Sequence, residues 1–315
     1  MRVVSAAEID GALTFPALID ALAAAFRSDA VVPVRHHHEI EHPGAHATLL
    51  LMPAWTGAGE AQGFVGVKVV SVFPDNGAKG IPSVLGTYLL MDGATGAPLA
   101  ALDGTRLTHW RTAAASALAA RYLAREDASR VVMVGAGALA PFLIRAHMSQ
   151  RPIREVQLWN HRPEKAEAVA AELRAEGLPV TAIRDLEGAV RAADLVTCAT
   201  LSSQPVVEGA WLKPGAHLDL VGAFNLRMRE ADDAAVQRAR VFIDTPAAKK
   251  EGGEVAISLK SGAIAEDHVQ GDLFGLCRKA VGGRRDAEEI TLFKSVGTAL
   301  EDLAAAMLVW RLRQG

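Results

Sequence analysis

The sequence predicts an α/β protein in which a doubly wound parallel sheet is joined to a second, α+β domain. Two textures carry that prediction. Between residues 131 and about 245, short apolar runs alternate with helical patterns, as βαβ units do. Residues 30–104 instead read as β-rich runs separated by turn sequences, the mark of a mostly antiparallel sheet. A third observation anchors the first texture: Val131–Val134 is a continuous apolar run of the kind found in strands buried on both faces, and Gly135, Gly137 and Ala140 follow it directly.

Taken in order, residues 5–28 carry Ile9, Leu13, Leu18, Ile19, Leu22 and Phe26 at helical spacing, a helix pair or one helix broken at Pro16. An extended segment starting at Pro33 and the run HATLLLMPAW form a hairpin around Pro43-Gly44. The β-rich FVGVKVVSVF, the turn PDNGAKGIPS, the run SVLGTYLLMD, the Gly93–Gly96 turn and PLAALDG complete the antiparallel region. An alanine-rich helix, Thr105–Leu123, leads to the glycine turn. Strands are then expected at 131–134, 156–159, 180–183, 194–199, 218–223 and 240–244, with helices between them, including 163–176 and one near 230–238. Two short helical pieces, 252–261 and 264–271 leading into DLFGLCRKAV, precede ITLFKSVGTALEDLAAAMLVWRLRQG, read as carrying an amphipathic helix that packs back on the first domain or on a partner subunit.

The 315 residues suffice for two domains. Half are hydrophobic and the formal net charge is −3, so nothing points to nucleic acid or an anionic membrane as a partner. No apolar run reaches the length of a membrane span, and MRVVSAAEID lacks a signal-peptide pattern. The two cysteines, Cys198 and Cys277, make no disulfide framework; Cys198 in LVTCAT is expected to be buried and inert. A cytoplasmic setting is the expectation.

The turn G-x-G-x-x-A between a strand and a helix suits a dinucleotide pyrophosphate. Its first glycine permits the tight turn, its second a close backbone approach, and its small third residue close packing of helix on strand, while the helix N-terminus offers N–H groups. The next strand ends in Asn160, His161 and Arg162, where an NAD site usually has an acid. Asn160 can hydrogen-bond a ribose and Arg162 can pair with a 2′-phosphate, a reading that favours NADP(H) with NAD(H) as the alternative. The plainer reading is that Arg162 caps a surface loop.

Lys68 lies within an apolar strand, sharing a face with Gly66 and Val70, and must either snorkel from an edge or face a cavity. Arg111 is a surface arginine or, among alanines that allow close approach, a guanidinium held in a cavity. With Arg35 they make two arginines and a lysine, a set suited to a small carboxylate, the lysine able to donate a proton. His36, His37, His38, His42 and His46 invite a metal site, but no acid or cysteine stands at a diagnostic spacing, and none is expected. Glu301 and Asp302 are expected to face solvent.

The pieces VPVRHHHEI, LLLMPAW, GVKVVSVFPDN, GIPSVLG, LTHWRTAAASALAARYLA, VGAGALA, NHRPEKA, LKPGAHLDLVGAF and FKSVGTALEDLAAA together resemble the ornithine cyclodeaminase/μ-crystallin family nearly end to end. The resemblance implies a Rossmann domain (116–291) inserted into a substrate and dimerisation domain (1–115 plus 292–315), and a homodimer with the antiparallel sheet at its interface. It places Arg35, Lys68 and Arg111 at the substrate carboxylate and reacting centre. It places Thr112, Gly135, Gly137, Ala138, Leu139, Asn160, His161, Arg162 and Thr200 on the dinucleotide, and Ser295, Val296 and Gly297 near the nicotinamide. Cyclodeaminases carry an aspartate shortly after the strand that here reads LDLVGAF; this chain has Phe224, then Asn225. That version resembles the Δ1-pyrroline-2-carboxylate reductase branch. The resemblance therefore implies NAD(P)H-dependent reduction of cyclic imino acids, with ornithine cyclodeaminase, a non-catalytic crystallin-like binding protein and alanine dehydrogenase as rival readings.

Overall fold

Burial alternates along Phe64–Val72: Phe64, Gly66, Lys68 and Val70 are buried and the residues between them are not. That period of two is the signature of a strand with one covered face, and it sets the architecture of the first of two units. The computed structural model describes residues 1–42, 45–59, 62–73, 75–76, 80–82 and 84–313, without the side chains at 42, 45 and 46. The turn expected at Pro43-Gly44, most of the one at 74–83, and the imidazoles of His42 and His46 therefore lie outside the described residues.

Unit 1 comprises Met1–Arg111 and Thr298–Gly315. Its strands β1 (Arg2–Val4), β2 (His36–His42), β3 (Ala45–Trp55), β4 (Phe64–Val72), β5 (Val84–Asp92) and β6 (Pro98–Asp103) form one sheet in the order β1-β6-β5-β4-β3-β2. All neighbours are antiparallel except β1 and β6, and β1 is a strand that the sequence reading missed. The residues at 5–28 are two helices, α1 (Ala6–Ala12) and α2 (Phe15–Arg27); Ser5 and Glu8 close a capping box on α1, and Pro16 starts α2 rather than interrupting it. Register places Met52 opposite Lys68, Lys68 opposite Tyr88 and Tyr88 opposite Leu102, a buried row across four strands. The C-terminal helix, Ala299–Leu312, packs against β3, β4, β5 and α2. It is not amphipathic as expected: all of its first eight residues are buried, Glu301 and Asp302 among them.

Helix α3 (Gly104–Leu123) contains the boundary between the units, after Arg111. Unit 2, Thr112–Gly297, carries eight parallel strands: β7 (Arg130–Val134), β8 (Glu155–Trp159), β9 (Val180–Ile183), β10 (Leu195–Cys198), β11 (His217–Leu220), β12 (Arg240–Ile243), β13 (Val269–Asp272) and β14 (Thr291–Lys294). Their order is β13-β12-β14-β11-β10-β7-β8-β9. The winding direction reverses between β7 and β10, so the crevice at the C-terminal ends of those two strands is the topological switch point where such sheets bind ligands. Between the strands run α4 (Ala140–Met148), α5 (Pro163–Ala175), α6 (Leu186–Ala192), α7 (Asp233–Arg238), α8 (Ala248–Glu251), α9 (Gly253–Ser261) and α10 (Leu273–Cys277). Val132, Val134, Val196, Leu218, Leu220 and Leu292 share one sheet face with α6, α7 and α9. The intervening residues face α3 and α4, which makes the sheet doubly wound.

Three expectations need correction. Thr291–Lys294, placed with the C-terminal segment of the first domain, is a strand that pairs with β11 and β12 and belongs to unit 2, so the cut falls at Gly297 rather than at 291. The segment 264–271 is not helical: a 3-10 turn, Glu266–His268, leads into edge strand β13. The strand expected over 218–223 ends at Leu220, where the chain leaves the ladder.

Candidate functional site

In unit 1 the buried row of the sheet presents Lys68 to the C-terminal helix. Lys68 Nζ lies 2.9 Å from Asp302 Oδ1 and 2.7 Å from Oδ2, and 3.4 Å from Thr108 Oγ1. Arg111 donates through Nε to Asp302 Oδ1 at 3.1 Å and through Nη1 to Glu301 Oε2 at 2.7 Å. Lys68 and Arg111, 43 positions apart, thus share one carboxylate. Burial, reinforced by the Arg111 charge and opposed by Asp302, pushes Lys68 down from 10.5 to about 8. Tyr88 stands beside Lys68, its hydroxyl buried and raised well above its ordinary pKa by burial and by Asp302. Its phenol fills the space above Gly66, where a Cβ would come within 1.9 Å of the oxygen.

Glu301 and Asp302 correct the solvent-facing expectation, since both are fully buried. The signal was present in the sequence: two adjacent acids in a helix of otherwise small and apolar residues need partners if the helix is covered, and Lys68 and Arg111 needed anions. Arg35 is not brought into this array. It is half-buried immediately before β2, and continuing the β2–β3 register sets it opposite Met52, two strands from Lys68 and about 10 Å away by ordinary strand spacing. Of the histidine run, His36 and His38 stack edge to face at 6.4 Å, and no group of metal-binding side chains occurs among the described residues.

In unit 2 the glycine turn has the shape a dinucleotide requires. Gly135 takes φ +110°, and a Cβ there would meet Ala199 O at 2.5 Å. Around Gly137 the Cβ position is open, so that backbone can be approached closely. Helix α4 starts at Ala140 without a side-chain cap from Leu139, and Pro141 in its first turn has no N–H. Gly137 and Ala138 are exposed and Leu139 is half-buried. Past β8, the Asn160 carboxamide oxygen accepts the Arg162 N–H at 2.9 Å, leaving the His161 and Arg162 side chains exposed. Thr112 is buried on α3. These residues fit a dinucleotide at the switch point.

Ser295, Val296 and Gly297 form the loop that follows β14. Asp244, at the end of β12, accepts from Ser295 Oγ at 2.9 Å and from the N–H groups of Val296 at 2.7 Å and Gly297 at 2.6 Å. Their donors are spent on shaping the loop after β14. Burial raises the Asp244 pKa, opposed by those same donors. A second buried acid that the sequence did not flag, Asp219 in the middle of β11, accepts from Ser116 Oγ at 2.9 Å, Thr197 Oγ1 at 2.7 Å and His147 Nε2 at 3.2 Å, tying α3 and α4 to the sheet. Burial works against its charge, yet the His147 and Thr197 contacts hold its pKa below the ordinary value. Nearby His217 is pushed down to about 3 by burial and stays neutral; its Nδ1 lies 2.9 Å from Thr291 Oγ1, which itself donates to Leu123 O at 2.8 Å, so Nδ1 carries the proton.

A sheet of this topology with a glycine turn at its switch point defines a dinucleotide-binding protein, and the accompanying unit with a buried lysine–arginine–carboxylate array narrows the class further. Residues 1–313 match the ornithine cyclodeaminase/mu-crystallin family, and the chain belongs to it. A Δ1-pyrroline-2-carboxylate reductase of Paracoccus denitrificans is 40% identical over 85% of this chain and 84% of its own length. The solved Δ1-pyrroline-2-carboxylate reductase of Thermococcus litoralis, in complex with NADH and L-proline, is 33% identical and superposes with a TM-score of 0.93 over 100% of this chain and 98% of that one. An archaeal alanine dehydrogenase dimer with bound NAD is 29% identical, with a TM-score of 0.91 over 100% of this chain and 96% of that one.

Asp302→Asn would leave the buried Lys68 ammonium on a neutral amide and Arg111 to Glu301 alone. It should destabilise the protein by about 3–5 kcal/mol in equilibrium urea unfolding; an unchanged midpoint would mean that Asp302 does not hold the pair.

Proposed function

We propose that this protein reduces cyclic imino acids, Δ1-pyrroline-2-carboxylate and with it Δ1-piperideine-2-carboxylate, to L-proline and L-pipecolate with NADPH or NADH. The observation that carries the reading is Lys68, a buried ammonium that gives up its proton near pH 8 and is fixed by Asp302 beside an arginine. Similarity to named pyrroline-2-carboxylate reductases supports it. So does Phe224, which stands 42% exposed after β11 in a segment, Gly222–Arg229, that contains no acid. Phe224 and Asn225 themselves offer no carboxylate to relay protons in an ammonia-releasing cyclisation.

In this reading Arg111, oriented by Glu301 and Asp302, takes the substrate carboxylate, with Arg35 as a second cation. Lys68 donates its proton to the ring nitrogen, which makes C2 electrophilic, and recovers a proton from water afterwards. A bound reduced nicotinamide supplies the hydride for C2. The new C–H and N–H bonds take the place of the π component of the C=N bond, and the ring C–N single bond remains. The Gly135–Leu139 turn and the start of α4 hold the pyrophosphate, and Asn160 and Arg162 the adenosine ribose with its 2′-phosphate. In this proposal a second copy of the chain covers the outer face of the six-stranded sheet, where Leu51, Pro53, Val65, Val67 and Val69 are half-buried and Trp55 is 37% exposed.

The decisive assay is oxidation of NADPH and NADH with Δ1-pyrroline-2-carboxylate. Turnover is expected, with kcat/KM falling as pH rises through about 8, because Lys68 must be protonated to donate. Lys68→Met should lose most activity along with that limb of the profile. Ammonia release from L-ornithine without imine reduction would overturn the reading, as would cofactor binding with no turnover of any imine. Arg162→Ser should lower kcat/KM for NADPH roughly tenfold and leave NADH within about twofold; equal losses would remove the 2′-phosphate role. In sedimentation velocity the protein should run as a dimer and Val67→Glu as a monomer, and a monomeric wild type would refute the covered face.

A further inference from the structure

Beyond Leu220 the ladder between β10 and β11 stops, and a carboxylate from elsewhere takes its place. Glu230 Oε1 accepts the Thr200 N–H at 2.6 Å and the Thr200 hydroxyl at 2.9 Å. Its Oε2 accepts the N–H groups of Gly222 at 2.7 Å and Ala223 at 3.3 Å. One side chain, fully buried, therefore joins the end of β10, which borders the crevice, to the end of β11 beside it. The fit is close: a Cβ on Gly222 would lie 2.1 Å from Thr200 O and 2.4 Å from Glu230 Oε1. On its other side Thr200 abuts the dinucleotide turn, its Cγ2 standing 3.2 Å from where a Gly135 Cβ would be.

We propose that Glu230 is a positioning residue for the dinucleotide: its carboxylate locks Thr200 and the Gly222-Ala223 turn, and through Thr200 the Gly135 turn, into the shape that binds the cofactor. The proposal rests on the dinucleotide reading of unit 2. Every donor around the carboxylate is an N–H or O–H, so the ionised form alone satisfies all four contacts; a proton on either oxygen removes an acceptor from one strand end. The charged and titratable groups facing it are Glu254 from α9, Lys294 from β14 and the thiol of Cys198 on β10. Glu254 accepts the Glu230 backbone N–H and pairs with Lys294 Nζ at 2.9 Å, so the one buried ammonium is shared by two buried acids. Burial, with Glu254 acting the same way, raises Glu230 to about 7 against the pull of Lys294 and Thr200. The clamp is thus charged above neutrality and weakens as pH falls through it.

The test is the dissociation constant for NADH, read by nucleotide fluorescence between pH 6 and 8.5 without substrate. NADH avoids the titrating 2′-phosphate. Wild type should bind about tenfold more weakly at the acid end. Glu230→Gln should bind weakly and equally at every pH. Glu254→Gln, which leaves Lys294 to Glu230 alone, should move the wild-type midpoint to lower pH. A wild-type profile that is flat, or an unshifted midpoint in Glu254→Gln, would overturn the clamp even if Glu230→Gln fails to fold. Glu230→Gln protein that keeps wild-type affinity and pH dependence would do the same. Wild type that binds neither NADH nor NADPH at any pH would instead overturn the dinucleotide reading.

Discussion

Lys68 sits in mid-strand with its ammonium out of water, an arrangement tolerated only where a carboxylate meets it. That carboxylate comes from Asp302, 234 residues further along the chain. The pairing accounts for why the last helix returns to the first sheet, and why its covering face carries two acids among alanines. Each group in the array is satisfied by another: Asp302 faces two cations, Glu301 faces Arg111, and the four formal charges cancel.

Unit 2 applies a related device at strand ends. Where parallel strands stop, their next N–H groups lack ladder partners, and buried carboxylates take them. Glu230 serves β10 and β11, and Asp244 serves the loop after β14. At the opposite end of the sheet, Asp194 accepts the N–H groups of Ser129 at 2.9 Å and Arg130 at 3.0 Å. Asp219 differs in lying mid-strand, where its partners are side chains and what it joins are layers. Glu230 and Asp244 thereby fix the loops at the C-terminal edge of the sheet.

How far the sequence could be read depended on the range of the interaction. Strand alternation along Phe64–Val72, the run before Gly135 and the alternation of β and α after it are local patterns, and the sheet order follows them closely. Local reading failed where two patterns competed. Residues 264–271 were read as a helical piece, yet they form a 3-10 turn followed by edge strand β13. The acids were missed for a different reason: Glu301 and Asp302 were read as solvent-facing and Asp219 and Glu230 were not singled out, because none carries a periodic signature and a charged residue defaults to solvent until its partner is known.

The sequence by itself determined the class of fold, the dinucleotide turn and the candidacy of Lys68 and Arg111, because each is written in neighbouring residues and their spacing. Tertiary structure alone decided which charges are buried and with whom. It joined Lys68 to Asp302, left Arg35 two strands from Lys68, bonded Ser295 and Gly297 to Asp244 and placed Glu230 between two strand ends. The physical reason is that a buried charge is specified by a partner distant in sequence, and only folding sets that distance.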